Sequence, residues 1–427
     1  MFLNTKSQSC AVILLLLAGF AVPASGADET ADPPPESADT PLAEPLPLPD
    51  PAQADGDLEL ADRDESVVPL AEAVSTAEAL HVPSQALTLL KAQIPPGTYQ
   101  RLSWSATELF EGVPVATPVL VVNGRLPGPT LCLTAAVHGD ELNGIEVVRR
   151  VMHDIDPSKL AGAVIGVPIV NLQGFRRNSR YLPDRRDLNR HFPGNPTGSA
   201  ASRIAHSFFT EIVAHCDALI DMHTGSFERT NLPQLRADLN DQDIRTLTRG
   251  FGATVILHSV PTEGTLRAAA TRAGIPAVTL EAGGPSVLEL EEVKHGVRGI
   301  ETLLYSLGMR QRYRLWGDPE PVYYRSTWVR ANRGGILLSD VKLGDHVTQG
   351  DLLGTITDPM NNASSNLYAP YSGRIIGMAR NQIVMPGFAA FHVGIKAADN
   401  ALHQPTDEVP DHTTETEADG YIDGMSE

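Results

Sequence analysis

Thr130 to Glu141, TLCLTAAVHGDE, is the stretch that decides the fold. Thr130 to Val137 is apolar on both faces, and the turn at Gly139 leads directly into a helical pattern over Glu141 to Met152. A strand that hides both faces needs a layer of helices above it and another below. The same alternation recurs downstream. Strands are expected at Ala163 to Val170, Ala218 to Met222, Ala253 to Leu257 and Pro276 to Leu280. Helices are expected at Ser199 to Ala214, Asp241 to Arg249, Thr265 to Ala273 and Val287 to Leu307. Residues 95–315 therefore read as a three-layer α/β domain with a mixed, largely parallel sheet, opened by antiparallel strands near Gln100 to Phe110 and Pro118 to Asn123.

Outward from that domain the character changes twice. From 318 to 398 short β segments are separated by Gly, Asp and Asn. Gly334 to Thr357 and Leu367 to Gly377 resemble the half-motifs of a barrel-sandwich hybrid, the fold of biotinyl and lipoyl domains. The intervening TDPMNN lacks the lysine that those carriers present, so the architecture is expected without the carrier function. Residues 28–66 and 399–427 are rich in acids, with Pro and Ala in the first, and read as a disordered linker and tail.

Those flanks explain the net charge of −19: the segment 28–65 carries −12 and 399–427 carries −9, leaving the remainder at +2. No basic stripe stands out, which argues against a nucleic-acid partner. At the start, Lys6 precedes the apolar run Ala11 to Ala24, with small residues at Ser25 to Ala27. This is the pattern of a cleaved export signal over 1–27, and its apolar run falls short of the ~20 residues a membrane-spanning helix needs. The expectation is an exported protein, periplasmic or secreted, with no stable membrane insertion after cleavage. Of its cysteines only Cys132 and Cys216 remain in the folded part. Two cysteines are no disulfide framework, and both sit in apolar contexts, so buried free thiols are expected in preference to a bridge.

Three polar clusters interrupt the apolar strand ends. His138 and Glu141 stand where the first buried strand meets its helix, at the edge where open α/β sheets bind ligands. Read alone, that His could simply cap a helix near an acid. Asp221-Met222-His223 ends another strand, and the two-residue period puts Asp221 and His223 on one face. Two imidazoles and one carboxylate leave an open position, the pattern of a catalytic rather than a structural zinc. Asp221 is either a partner of His223 or a buried acid paired elsewhere. Glu281 leaves an apolar strand into Ala282-Gly283-Gly284. A carboxylate there is costly to bury unless it is used, for example to accept a water proton and hand it to a leaving amine; the plain alternative is a surface acid before a turn. The segment Asn178 to Gly194 concentrates Arg180, Arg185, Arg186, Asn189 and Arg190, which suits an anionic substrate, although Arg185 and Arg186 are equally readable as solvated charges. Arg267 and Arg272 stay undecided between pocket and helix surface.

HGDE at 138–141, DLNRHFPG at 187–194, DMHTG at 221–225 and TLEAGG at 279–284 resemble, in order and spacing, the succinylglutamate desuccinylase/aspartoacylase family, relatives of the zinc carboxypeptidases. The resemblance covers roughly residues 95–310. It implies one Zn2+ per chain, held by His138, Glu141 and His223, with Glu281 as general acid/base. It further implies that Arg180 steadies the oxygen of the scissile carbonyl and that Asn189 and Arg190 hold a substrate carboxylate. The activity it implies is hydrolysis of an amide bond in an N-acyl amino acid or similar small anion. A carboxypeptidase trimming exported peptides, such as cell-wall stem peptides, is the nearest alternative, and a catalytically inactive binding protein is the third.

Overall fold

The computed structural model describes residues 84–110, 113–311, 322–323, 325–380 and 382–396. The expected export signal, linker and acidic tail lie outside the described residues. A short hairpin, β1 (Leu87–Leu89) and β2 (Ala92–Ile94), precedes the long antiparallel pair β3 (Thr98–Phe110) and β4 (Val113–Asn123). Next come β5 (Leu126–Ala135), α1 (Asn143–Asp154), β6 (Ala161–Val167), α2 (Leu172–Arg176), α3 (Ala200–Glu211), β7 (Ala218–His223) and β8 (Arg229–Ala237). They are followed by α4 (Gln242–Arg249), β9 (Val255–His258), α5 (Leu266–Arg272), β10 (Ala277–Gly283) and α6 (Leu290–Ser306). The last part is all β: β11 (Val322–Tyr323), β12 (Arg325–Arg330), β13 (Gly335–Ser339), β14 (His346–Val347) and β15 (Leu352–Thr357), then β16 (Ser364–Tyr368), β17 (Gly373–Ala379), β18 (Gln382–Val384) and β19 (Ala389–Ile395).

The main sheet runs β12-β19-β17-β8-β10-β7-β5-β6-β4-β3. Its centre, β10-β7-β5-β6, is parallel, and the flanks are antiparallel. One face packs Leu131 and Leu133 of β5, Ile220 and Met222 of β7, and Val278 and Leu280 of β10 against Val148 of α1 and Ile300 and Leu303 of α6. The other buries Cys132, Leu219 and Ala277 against Phe208 of α3 and Leu266 and Ala269 of α5. These two cores make the three layers that strands apolar on both sides require, each fully buried Leu, Ile or Phe contributing about 1.5–3 kcal/mol.

The second face changes character along each strand. Residues of that face read Leu219, Asp221, His223 on β7 and Ala277, Thr279, Glu281 on β10. Apolar side chains thus anchor the start of each strand under α3 and α5, and polar ones emerge at the carboxyl edge. Because β5, β7 and β10 are parallel, all three deliver their polar ends to one rim.

Two features depart from the sequence reading. Strand β8 is central, yet Arg229-Thr-Asn-Leu-Pro-Gln-Leu-Arg-Ala237 carries too many polar residues to be recognised as a buried strand. Its Leu235 and Ala237 join the first core, whereas Gln234 and Arg236 share the face of Glu281. The second is a correction: Cys132 and Cys216 are joined in a disulfide rather than being free thiols. Cys132 lies on β5 and Cys216 just before its neighbour β7, and the parallel register brings their Cα atoms to 5.7 Å, within bridging range.

Beyond α6, strands β16-β15-β13-β18 form a second sheet. It closes on β17 and β19 around Leu337, Ile356, Ile375, Phe391 and Val393, as the half-motifs led one to expect. That small β body is not merely tethered, since β17 hydrogen-bonds along β8 and the main sheet runs through both parts.

Candidate metal and active site

After β5 the chain turns at Ala136 with φ 48°, a left-handed conformation that costs a residue with a Cβ of order 1 kcal/mol. Burial of Ala136 and the bond from the Asn171 N–H to its carbonyl at 2.8 Å hold it there. The turn delivers His138 to the rim. Glu141 follows just before α1, and His223 closes β7. Among the described residues, these three form a group whose donor atoms all lie within 4.8 Å of one another. His138 Nδ1 is 2.8 Å from Glu141 Oε1, His223 Nδ1 is 2.8 Å from Glu141 Oε2, and the two Nδ1 atoms are 3.2 Å apart. Ligands on a tetrahedral ion with bonds of about 2.0 Å stand about 3.3 Å apart, so a small outward shift fits the set to a zinc-sized ion.

The far nitrogens are held as well. His138 Nε2 is 3.0 Å from Asp187 Oδ1, and His223 Nε2 is 2.8 Å from Asp221 Oδ2. Asp221 in turn accepts from the Thr134 hydroxyl at 2.7 Å. With each Nε2–H donated to a carboxylate, each Nδ1 turns its lone pair to the common point, which is how histidines are oriented for a metal. The Thr224 N–H donates to Glu141 Oε2 at 3.1 Å.

The electrostatics describe the same arrangement with protons in place of a cation. Burial and Arg180 push the His138 imidazolium down, but Glu141 and Asp187 outweigh them and raise it to about 9. His223 is raised well above its ordinary value: burial opposes, and Asp221 and Glu141 prevail. Burial likewise works against the charged forms of Glu141 and Asp187, yet both are held far below the usual carboxylate range, Glu141 by the two histidines and Asp187 by His138 and Arg180. Buried carboxylates that raise two imidazoles in this way concentrate negative charge at a point where the three side chains could hold a divalent ion.

Arg180 is buried beside the group. Its Nη1 lies 3.2 Å from His138 Nδ1 and 3.3 Å from Glu141 Oε1, and its Nη2 donates to Asp187 Oδ2 at 3.0 Å. Asp187 therefore ties His138, Arg180 and the Asn189 N–H (2.8 Å) into one network. Asn189 is buried too, and its Oδ1 accepts the Leu266 N–H at the start of α5 at 2.8 Å, leaving the Nδ2 donor as what it can offer an anion. Arg190 is half-buried and reaches the Asn189 carbonyl at 3.0 Å.

Glu281 pairs in register with His223 on the adjacent strand and is 7% exposed, so it is no surface acid. Its Oε2 accepts from Asn231 Nδ2 at 3.0 Å, and Arg236 Nε lies 3.5 Å from its Oε1. Arg267 is buried, bonds Ser259 at its carbonyl (2.8 Å) and hydroxyl (3.2 Å), and is lowered to about 10 by burial and by the neighbouring Arg236. Arg272 pairs with exposed Glu263 on the surface. Asp187, Asn231 and Arg236 escape a reading of the sequence. Asp187 sat unassigned inside a motif already quoted. Asn231 and Arg236 lie on the unrecognised β8, where only Gln234 and Arg236, alternating with Leu235 and Ala237, carry a two-residue period.

A mixed sheet between helical layers, with two histidines and a carboxylate gathered at its carboxyl rim and a β body appended, is the zinc-carboxypeptidase-like α/β architecture. Residues 127–307 match the succinylglutamate desuccinylase/aspartoacylase catalytic domain. An Nα-acetyl-L-2,4-diaminobutyric acid deacetylase of Halomonas elongata is 31% identical over 57% of this chain and 75% of its own. The crystal structure of a succinylglutamate desuccinylase/aspartoacylase from Rhodobacter sphaeroides shares 26% identity at a TM-score of 0.64, covering 73% of this chain and 100% of that one. A succinylglutamate desuccinylase from a Silicibacter species shares 25% at 0.63, covering 71% and 97%. The chain belongs to the succinylglutamate desuccinylase/aspartoacylase family.

Proposed function

We propose that this protein is a zinc-dependent hydrolase that cleaves the amide bond of an N-acyl amino acid or a similar small carboxylate-bearing amide. The observation that carries the reading is the convergence of His138 Nδ1, His223 Nδ1 and Glu141 on one point, with Asp187 and Asp221 behind the rings and Glu281 on the next strand. Family membership and the deacetylase relative support the reaction type.

His138, Glu141 and His223 would hold the zinc, which when bound would supply Lewis-acid chemistry for activating water and polarising a carbonyl. The remaining steps belong to side chains. Glu281 takes the proton of the attacking water and hands it to the leaving amine, so the products are a carboxylate and a free amine. Arg180 donates to the developing oxyanion, and Asn189 Nδ2 with the Arg190 guanidinium holds the substrate carboxylate.

Turnover of Nα-acetyl-L-2,4-diaminobutyrate, other N-acyl amino acids and short cell-wall peptides, each with and without chelator, tests the proposal. Release of amine from the first two classes supports the deacylase; release of terminal residues from peptides would favour a carboxypeptidase. The export pattern over 1–27 is the observation on that side, because an exported enzyme meets peptides more readily than cytosolic metabolites. We place the protein outside the cytoplasm on that pattern, and the Cys132–Cys216 bridge suits an oxidising compartment. An inactive binding protein has no use for a buried Glu281; loss of turnover in Glu281→Gln would exclude it.

A further inference from the structure

Five strands of the main sheet carry a row of side chains that ends on Glu281. Trp328 of β12 is the cross-strand partner of His392 on β19, His392 of Gly377 on β17, and Gly377 of Asn231 on β8. Asn231 then donates its Nδ2–H to Glu281 Oε2 at 3.0 Å. The row is tight. The His392 and Trp328 rings stack at 4.3 Å and 9°, and His392 and Asn231 are both buried. A methyl group on Gly377 would stand 2.7 Å from Asn231 Oδ1, 3.3 Å from His392 Cβ and 3.6 Å from the tip of Trp328. Real Cβ atoms do not approach an oxygen that closely, so Asn231 would have to move.

An Asn amide offers an acceptor on one side and a donor on the other. Here the bare Gly377 receives the oxygen side, and that choice aims the N–H₂ at Glu281. That hydrogen bond sets the rotation of the Glu281 carboxylate, whose other oxygen, Oε1, lies 3.5 Å from Arg236 Nε. We propose that Asn231 and Gly377 are positioning residues for Glu281, and that the C-terminal β body thereby takes part in the reaction through one hydrogen bond. Gly377 contributes by having no side chain, which leaves room for Asn231 Oδ1. This inference rests on Glu281 being the proton-transfer group.

The test is a double-substitution cycle on the full-length, zinc-loaded enzyme with Nα-acetyl-L-2,4-diaminobutyrate and whichever N-acyl amino acid is turned over fastest. Gly377→Ala and Asn231→Ala each lower kcat roughly 10- to 100-fold, the usual range for groups that hold a ligand or acid in place, with KM and zinc content little changed. Gly377→Ala made on the Asn231→Ala background costs little more, because the residue through which it acts is gone. Asn231→Asp, which keeps the shape and replaces the donor by an acceptor, guards against misfolding and loses kcat similarly. The unfolding midpoints of the same four proteins give a second cycle, in which Gly377→Ala destabilises less once Asn231 is Ala. Losses that simply add, or wild-type kcat in Gly377→Ala and Asn231→Asp while Glu281→Gln is inactive, overturn the positioning role alone. Wild-type turnover by Glu281→Gln overturns it together with the reading of Glu281.

Discussion

Replacing Asp187 by Asn keeps the shape of a side chain whose charge the metal group needs. In the native protein its carboxylate serves His138 Nε2 at 3.0 Å, Arg180 Nη2 at 3.0 Å and the Asn189 N–H at 2.8 Å, with 9% of the residue exposed. All three partners donate. An amide can meet them with only one acceptor atom, so its N–H₂ faces either the ring or the guanidinium, donor against donor. Loss of a charged acceptor of this kind costs about 1.5–3 kcal/mol of folding stability, and loosening a histidine that should present Nδ1 weakens metal affinity roughly 10- to 100-fold, about 1.4–2.8 kcal/mol. Zinc affinity by competition with a chromophoric chelator, together with chemical denaturation of the metal-free protein, measures both. If the Asp187→Asn protein bound zinc as tightly as wild type while His223→Ala bound none, the proposed orientation of His138 by Asp187 would be wrong.

His223→Ala is expected to abolish stoichiometric zinc, read by elemental analysis of the purified protein, because one of three donors is removed; retention of a full equivalent would place the ion elsewhere. Apparent zinc affinity is expected to climb as pH rises toward 9, since His138 holds a proton to about that pH in the metal-free chain and must release it. The same raised value makes the His138 contribution to metal-free stability complete below its unfolded value near 6.5 and lost as pH climbs through about 9, so zinc and high pH should act in opposite directions on the melting temperature. Equal affinities at pH 7 and 9 would refute the coupling. Cys132→Ser with Cys216→Ser is expected to cost about 2–4 kcal/mol in denaturant unfolding, the usual worth of a bridge closing so long a loop, and reductant should destabilise wild type but not this variant. Arg272→Ala should change stability by less than about 1 kcal/mol, as an exposed pair with Glu263 does, while Arg267→Ala, which empties a buried guanidinium site beside Arg236, should cost more than that in the same denaturation assay.

Local pattern was enough for the layers and for most of the rim. A strand such as Thr130 to Val137 announces burial on both faces by its composition, and a polar residue at its end is conspicuous because everything before it is apolar. His138, Glu141, His223 and Glu281 were legible for that reason. Strand β8 was not: Asn231, Gln234 and Arg236 look like loop chemistry until the antiparallel register with β10 turns them toward Glu281. Whether Cys132 and Cys216 meet was likewise out of reach, because residues 84 positions apart become neighbours only through the order of strands in a sheet.

The sequence by itself determined which segments are buried, where each apolar strand breaks into polar residues and what chemistry those residues favour, since these depend on period and composition along a few neighbouring positions. The tertiary structure alone decided which Nδ and Nε atom faces which carboxylate, that Asp187 binds ring and guanidinium together, that Arg267 lies inside and Arg272 outside, and that a glycine in the C-terminal β body abuts the partner of Glu281. Those are questions of distances between segments far apart in the chain. Such distances follow from strand order, register and side-chain packing, which no local pattern encodes.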